Sequence, residues 1–168
     1  MNETAITTAL DVYASTPATL RALLSGLPES ITSVAADEGW SVHDVVVHLT
    51  SLDLFSMVGR VRAILDQDNP VIPDLDEQEV LERSGLQSKP LADVLDQMAR
   101  QRSDALIWLR ELTPEQLART GRHSAAGLLS AADIIHHKAW HDLLHVGQIC
   151  RMLSGPLDAG SGAMRRYH

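Results

Sequence analysis

Apolar residues recur every three or four positions through four long stretches of the chain, and segments rich in glycine, proline and acidic residues separate these stretches. This spacing places the apolar side chains on one face of a helix, so each stretch is predicted to be an amphipathic α-helix. The sequence contains no repeat, no low-complexity segment and no long linker. The pattern therefore predicts one all-α domain over residues 1–168, and four helices joined by connections of mixed length indicate a four-helix bundle.

The first predicted helix runs from about Thr4 to Ser25, and a proline within it leaves two alternatives. Either the helix bends at Pro17, or it begins there with Thr16 as its N-cap. In both cases the stretch "TLRALLSGL" is predicted to be helical.

The second predicted helix begins after Ser41, whose hydroxyl can form a capping box with the carboxylate of Asp44. It continues to about Asp66 with an apolar stripe at Val42, Val45, Val46, Leu49, Leu52 and Phe55. The segment "DQDNPVIPDLDE" that follows contains two prolines and several acids, which is typical of a surface loop. A short helical turn is expected in "DEQEVLE".

The third predicted helix extends from near Pro90 to about Leu112. A short helix then begins at Thr113, with Pro114 in its first turn and Gln116 completing a capping box.

The stretch "RTGRHSAAGLL" is interpreted as a loop that leads into the fourth helix. This last helix begins near Ser130, where Asp133 stands at the spacing of a cap, and is expected to stop at "SGP", after about Leu153.

The composition favours one class of fold and argues against some classes of partner. Aromatic residues make up only 4% of a chain that is 45% hydrophobic, and this mixture favours helices over a β-sandwich. The net charge of −8 argues against nucleic acid as a partner, because phosphate binding needs a concentrated positive field.

No apolar run reaches the roughly 18 residues of a membrane span. The N-terminal segment lacks the basic residues of a secretory signal, and the single cysteine excludes an internal disulfide, so we expect a cytoplasmic protein.

Four of the eight histidines lie in "HHKAWHDLLHVGQI", residues 136–149 of the last helix. Residues four apart are turned by roughly 40° and separated by about 6 Å along a helix axis, so His141 and His145 can reach one metal ion. His137 lies one turn earlier, about 12 Å from His145 along the axis, which is too far for three ligands of one tetrahedral ion. His137 is therefore interpreted as a neighbour of the site that lines its entrance or hydrogen-bonds nearby.

A third ligand is more simply supplied by His48, which stands among valines and leucine in the second helix. Three histidines would leave a coordination position open for water or substrate, as in catalytic metal sites. The alternative stays open at this point, because a pair of histidines four apart also arises by chance and an isolated histidine in an apolar stretch is often a hydrogen-bonded core residue.

The remaining candidates are assigned lesser roles. Asp142 is interpreted as a solvated charge rather than a group that supports the site, and Cys150 as core packing, since free cysteines are among the most buried residues. The other histidines are ranked below the three candidates: His43 as exposed in a first helical turn, His123 in a loop, His136 turned away from His137, and His168 at the terminus.

The order of these motifs resembles the DinB/YfiT-like superfamily over nearly the whole chain. The resemblance rests on "GWSVHDVVVHLTSLD", "RVRAIL" and "HSAAGLLSAADIIHHKAWHDLLHVGQI", and in particular on Trp40, Ser41, His48, Leu49, His141, His145, Gly147, Gln148 and Ile149. It implies a four-helix bundle with a long crossover connection. It also implies a divalent metal, zinc or nickel, bound by His48, His141 and His145, and that a homodimer is common.

Relatives in that superfamily use low-molecular-weight thiols such as mycothiol or bacillithiol, so the resemblance implies a thiol S-transferase or a thiol-dependent isomerase. A metal would hold the sulfur of such a cosubstrate as a thiolate at neutral pH and present it to a small-molecule electrophile. Two alternatives remain: a metal-dependent hydrolase in which water takes the open position, and a non-catalytic, stress-related metal-binding protein.

Overall fold

The computed structural model of the protein describes residues 3–36 and 39–167, and His168 lies outside them. Four long helical segments are present: α1 (Glu3–Leu24), a composite second helix made of α3 (Val42–Leu52), a π-helical stretch (Asp53–Val58) and α4 (Gly59–Asp66), then α6 (Leu91–Leu109) and α8 (Ala131–Gly160). The shorter elements are α2 (Glu29–Thr32), β1 (Val71–Ile72), α5 (Glu77–Ser84), α7 (Pro114–Leu117), β2 (Thr120–His123), β3 (Gly127–Ser130) and a 3₁₀ helix (Gly162–Tyr167).

The long helices form the predicted bundle. Helix α1 packs against α6 and α8, and the composite second helix packs against the same two. The first and second helices therefore occupy opposite corners, and the described parts of the connection between them, residues 25–36 and 39–41, belong to the crossover. Apolar side chains from all four helices fill the interior. These features confirm a four-helix bundle with a long crossover connection.

Three helices begin at the capping boxes that the sequence predicts. In each box, the side chain of the N-cap residue accepts a hydrogen bond from the backbone N–H of the residue three positions later. The side chain of that later residue accepts in turn from the backbone N–H of the N-cap residue. The three pairs are Ser41 with Asp44, Thr113 with Gln116, and Ser130 with Asp133. Two of these caps set where α3 and α8 start, and hence which side chains of those helices face inward.

Helix α1 continues through Pro17 rather than beginning there. Proline has no N–H, so the carbonyl of Tyr13, four residues earlier, loses its helical donor. The Nη1 of Arg102 on α6 donates to that carbonyl oxygen at 3.0 Å. A buried side chain from a neighbouring helix thus satisfies the carbonyl that the proline leaves free.

The interpretation of "RTGRHSAAGLL" as a loop is wrong, because this segment contains a β-hairpin. Strands β2 and β3 pair in antiparallel register, and β1 adds to β2 in parallel, with Val71 opposite Arg122. Gly121 lets the hairpin approach α4 closely, since a Cβ at this position would lie 2.8 Å from Cδ1 of Ile72 and 3.0 Å from Cγ1 of Ile64. Strands of four residues with glycine and serine are too short to show an alternating pattern in the sequence.

The predicted end of the last helix near Leu153 is also wrong, because α8 continues past Pro156 to Gly160. A proline removes one backbone hydrogen bond, and these final turns lie largely in solvent, where water can satisfy the freed carbonyl. Arg165 Nε donates to Asp158 at 3.0 Å and ties the following 3₁₀ helix to the end of α8. Even α8 does not qualify as a membrane span, nor does any other helix in the part of the chain that the structure describes.

Phe55 does not belong to the buried stripe of the second helix, since it is 44% exposed. It lies in the π-helical stretch, where each turn holds more residues than an α-helical turn and the side-chain direction shifts. The stripe residues before this stretch, from Val42 to Leu52, are buried as predicted.

Candidate metal centre

Three of the histidines singled out in the sequence meet inside the bundle. His48 comes from α3, and His141 and His145 lie one turn apart on α8. The Nε2 atom of His141 is 3.4 Å from that of His48 and 3.2 Å from that of His145. One ligand atom from each ring lies within 4.8 Å of the others, and no other such group of three or more occurs among residues 3–36 and 39–167.

The spacing of these nitrogens suits a divalent metal ion. Zinc binds imidazole nitrogen at about 2.0–2.1 Å, and tetrahedral geometry then separates neighbouring ligand nitrogens by about 3.3–3.4 Å. The Nε2 separations of 3.2 and 3.4 Å agree with this requirement for two of the three pairs, and one ligand atom of each ring lies within 4.8 Å of the others. Two neutral imidazoles joined by a hydrogen bond would also lie this close. However, Nε2 of His141 is close to two rings at once, whereas such a hydrogen bond joins one pair of nitrogens.

The surroundings of the three rings favour their neutral form, which is the form that binds metals. Burial, reinforced by the charges of His145 and Lys138, lowers the pKa of His48 to about 3. Burial and the nearby Lys138 ammonium lower the pKa of His141 to about 3 as well. The pKa of His145 is also lowered, chiefly by burial.

The outer nitrogens of the rings show how each imidazole is oriented. When Nε2 binds a metal, Nδ1 carries the proton and needs an acceptor. His145 meets this need, since its Nδ1 lies 2.7 Å from Oε1 of Gln148. The Nδ1 atoms of His48 and His141 are buried, and no described residue hydrogen-bonds to either. The acidic oxygen nearest to His48 Nδ1 is Oε2 of Glu77, at 3.8 Å.

Gln148 therefore orients the imidazole of His145, and the sequence indicated this contact only indirectly. It belongs to the Gly-Gln-Ile ending of the final-helix motif, but the spacing alone did not indicate what it contacts. A glutamine three residues after a candidate ligand on a helix lies on the same face, which is the signal available for such a contact.

Asp142 is fully buried, at 0% exposure, so its interpretation as a solvated charge is wrong. Its Oδ1 accepts from Arg102 Nη2 at 3.0 Å and lies 3.0 Å from Lys138 Nζ. Asp53 completes the group, since its Oδ2 accepts from Arg102 Nε at 2.7 Å and its Oδ1 lies 2.9 Å from Lys138 Nζ. Two carboxylates and two cations thus form a balanced, buried charge network.

This charge network fixes the orientation of α8. Burial opposes the ionisation of Asp142, but the charges of Arg102 and Lys138 outweigh it and the pKa of Asp142 is lowered. Asp142 directly follows His141, so its ion pairs hold the rotation of α8 that aims the candidate ligands inward. Sequence reasoning missed Arg102, although it stands four residues after the buried Met98 and hence on a core-facing stripe.

A cavity of about 460 Å³ reaches one of the three histidines, His141, which forms part of its lining. Its walls come from α4, the start of α5, the β2–β3 hairpin and α8, and include Arg60, Asp74, Glu77, His123, His137 and Lys138. His137 lines the cavity, with its ring centroid 6.1 Å from that of His141. His123 lies in β2 rather than in a loop, and it is buried.

The other candidates lie away from this cavity. His43, expected to be exposed, is half-buried with its Nε2 at 2.9 Å from the carbonyl oxygen of Lys89. His136 lies 2.9 Å from the carbonyl oxygen of Ala132 through its Nδ1. The assignment of Cys150 to the core is wrong, because it is exposed. It follows the buried Ile149, and the turn of about 100° between adjacent helical residues carries it outward.

Comparison with known proteins agrees with this fold and finds relatives whose names refer to a metal-dependent activity. A protein of Oceanobacillus iheyensis is 28% identical over 116 residues, which is 67% of this chain and 66%, just under two thirds, of that protein. A protein of Halalkalibacterium halodurans is 25% identical over 138 residues, covering 82% of this chain and 80% of the relative. Each of these relatives bears the name "putative metal-dependent hydrolase".

The structure of YfiT from Bacillus subtilis, described as a probable metal-dependent hydrolase with an unusual four-helix bundle topology, superposes with a TM-score of 0.81. The match covers 90% of this chain and 87% of YfiT at 21% sequence identity, so it establishes the shared fold. The sequence model of the DinB superfamily matches residues 13–149, most of the chain. The protein is therefore a member of the DinB superfamily.

Proposed function

We propose that the protein is a metal-dependent enzyme in which His48, His141 and His145 bind one divalent ion through Nε2, and that it catalyses a hydrolysis. The observation that carries this proposal is a group of three neutral imidazoles in which Nε2 of His141 lies 3.4 Å from that of His48 and 3.2 Å from that of His145, next to a cavity of about 460 Å³ that reaches His141. Three protein ligands leave a coordination position for a reactant, which is the usual arrangement of catalytic sites. Zinc and nickel both suit three imidazoles.

A divalent ion held there would supply Lewis acidity, which lowers the pKa of a coordinated water or thiol. The chain's own residues would then handle the proton and the substrate. Asp142 is unavailable as a base because it is committed to Arg102 and Lys138.

Two cavity residues remain as proton acceptors. The carboxylate of Glu77 lines the cavity and lies near His48. The pKa of His137 is lowered by burial and by the charges of Arg60 and Lys138, which keeps its imidazole neutral and able to accept a proton. Glu77 was not among the candidates that the sequence singled out, and its place in the cavity lining identifies it.

The names of the two bacterial relatives and the description of YfiT support hydrolysis as the reaction. A second candidate is transfer of a low-molecular-weight thiol to a small electrophile. The cavity volume of about 460 Å³ lies within the range of small-molecule sites and far exceeds the space of a single water, so a thiol cosubstrate would fit.

The proposal is tested on protein purified without a histidine tag. Elemental analysis by mass spectrometry is expected to give about one zinc or nickel ion per chain, and H141Q should lose it. H136Q serves as the matched control, because His136 is on the same helix but its Nδ1 lies 2.9 Å from the backbone carbonyl oxygen of Ala132. An ion content that is negligible, or unchanged in H141Q, would refute the metal centre.

The reaction is tested with the metal-loaded protein and two substrates. Hydrolysis of p-nitrophenyl acetate that disappears in H141Q and persists in H136Q would support hydrolysis. Conjugation of monochlorobimane with one thiol from a panel, without ester hydrolysis, would favour thiol transfer. Bound metal with neither activity would indicate the non-catalytic metal-binding protein.

A further inference from the structure

The cavity that reaches His141 is also lined by two hydrogen-bond donors that lack a well-placed acceptor. The first is Arg60 on α4, whose Nε–H is buried and donates to no described residue. Its Nη2 donates only a long bond, 3.3 Å, to the carbonyl oxygen of Pro73. A guanidinium presents its donors in a planar fork that matches a carboxylate, and this one is largely unused.

The second donor is His123 in β2, and the hairpin fixes which of its nitrogens faces outward. The backbone N–H groups of Ala125 and Ala126 both donate to its Nδ1 at 3.2 Å. Since Nδ1 accepts these bonds, the ring proton resides on Nε2. His123 therefore presents an N–H donor through Nε2.

One carboxylate already lies between these two donors, but it does not bond to them. Oδ1 of Asp74 is 3.9 Å from Arg60 Nη2 and 3.8 Å from His123 Nε2, both beyond hydrogen-bond distance. The Asp74 side chain is 68% exposed, and the bond that its displacement would give up is the one that Oδ1 accepts from the Leu75 N–H at 3.1 Å. The position of the Asp74 carboxylate indicates where Arg60 and His123 would bind another carboxylate at hydrogen-bond distance.

We propose that Arg60 and His123 form a subsite for the carboxylate of a small-molecule acid, which enters the cavity and displaces the side chain of Asp74. This inference rests on the proposed function, because the acid's reacting group would then lie toward His141. Lys138 does not share in the subsite, since Asp53 and Asp142 hold its ammonium at 2.9 and 3.0 Å.

The acidic residues around the cavity favour a carboxylate over a phosphate. Asp74, Glu77 and Asp133 all line the cavity and would repel a dianion more strongly than a monoanion. The carboxylate of Asp133 accepts from the backbone N–H of Ser130 at 2.9 Å, so its charge is partly engaged in the helix cap.

The subsite is tested by fluorine NMR with 4-fluorobenzoate as the probe, on the full-length protein in zinc-loaded and metal-free form. We expect 4-fluorobenzoate to bind and 4-fluorobenzamide, which has the same shape without the charge, to bind about tenfold more weakly or not at all. R60M should weaken benzoate binding by about tenfold. The matched control is R62M, because Arg62 is two residues away on α4 and lies over the ring of Trp108 instead of in the cavity.

D74N gives a second, independent readout. Removing the competing carboxylate should strengthen benzoate binding, whereas no strengthening is expected if Asp74 has only a structural role. Equal binding of acid and amide, no effect of R60M, or weaker binding in D74N would overturn the proposal. Tighter, Arg60-dependent binding of 4-fluorophenyl phosphate would overturn the choice of a carboxylate. Arg60-dependent binding in a protein that takes up no metal would uphold the subsite while refuting the proposed enzyme.

Discussion

Replacing Arg102 by leucine should destabilise the protein more than any single surface change. The guanidinium is 1% exposed and joins Asp53, Asp142 and the backbone carbonyl of Tyr13, which lie on the three other helices of the bundle. Its removal leaves two buried carboxylates facing the single ammonium of Lys138. Removing one member of a buried ion pair costs about 3–5 kcal/mol, because the remaining charge stays desolvated and unpaired.

This loss is a large share of the roughly 5–15 kcal/mol that stabilises a typical domain. For a chain of this size it corresponds to a fall in melting temperature of about 6–20 °C. Urea unfolding followed by circular dichroism at pH 7 measures it, and R100L, an exposed arginine on the same helix, should change the free energy of unfolding by less than about 0.5 kcal/mol.

The double variant R102L/D142N tests whether the loss comes from unbalanced charge. It retains one cation and one carboxylate, Lys138 and Asp53, which lie 2.9 Å apart. Its loss should therefore be smaller than the sum of the two single losses, by about 0.5–3 kcal/mol. A loss below about 1 kcal/mol in R102L would contradict the burial of these charges. Strict additivity in the double variant would contradict their energetic coupling.

Three further predictions concern the site and its supports. Q148A should weaken zinc binding by about 10–100-fold in a competition titration, because Gln148 holds Nδ1 of His145 at 2.7 Å. Burial lowers the pKa of His48 and of His141 to about 3, so the metal-free protein should lose stability as the pH falls below about 6.5, where the unfolded chain takes up protons first. The variant H48Q/H141Q should flatten this pH dependence in urea unfolding. G121A should cost about 1–3 kcal/mol, because its Cβ would lie 3.0 Å from Cγ1 of Ile64 and 3.2 Å from the backbone carbonyl oxygen of Pro70, whereas G155A, in open space, is the control.

The helices and their starts were predictable because the determining interactions are local. A capping box such as Ser41 with Asp44 spans three residues, and an apolar stripe repeats within a few turns. The pairing of His141 with His145 follows from helix geometry in the same way. The approach of His48 to this pair is different, because it joins positions 93 residues apart. It was expected from the apolar setting of His48 and from the resemblance of the whole chain to a family.

The features that escaped prediction depend on partners distant in the sequence. Arg102 bonds to groups 40, 49 and 89 residues away, and nothing near it in the sequence announces them. Asp142 was assigned to solvent for the same reason, since charged residues are seldom buried without a partner. The β2–β3 hairpin escaped because its strands are short, and the outward turn of Phe55 escaped because a π-helical stretch leaves no periodic signal.

The most direct test of the proposed centre is X-ray absorption spectroscopy at the zinc edge of the zinc-loaded protein. The arrangement of His48, His141 and His145 predicts three imidazole nitrogens at about 2.0–2.1 Å and one further light-atom ligand. A spectrum with two imidazoles or fewer, or with coordination by oxygen alone, would contradict a three-histidine site.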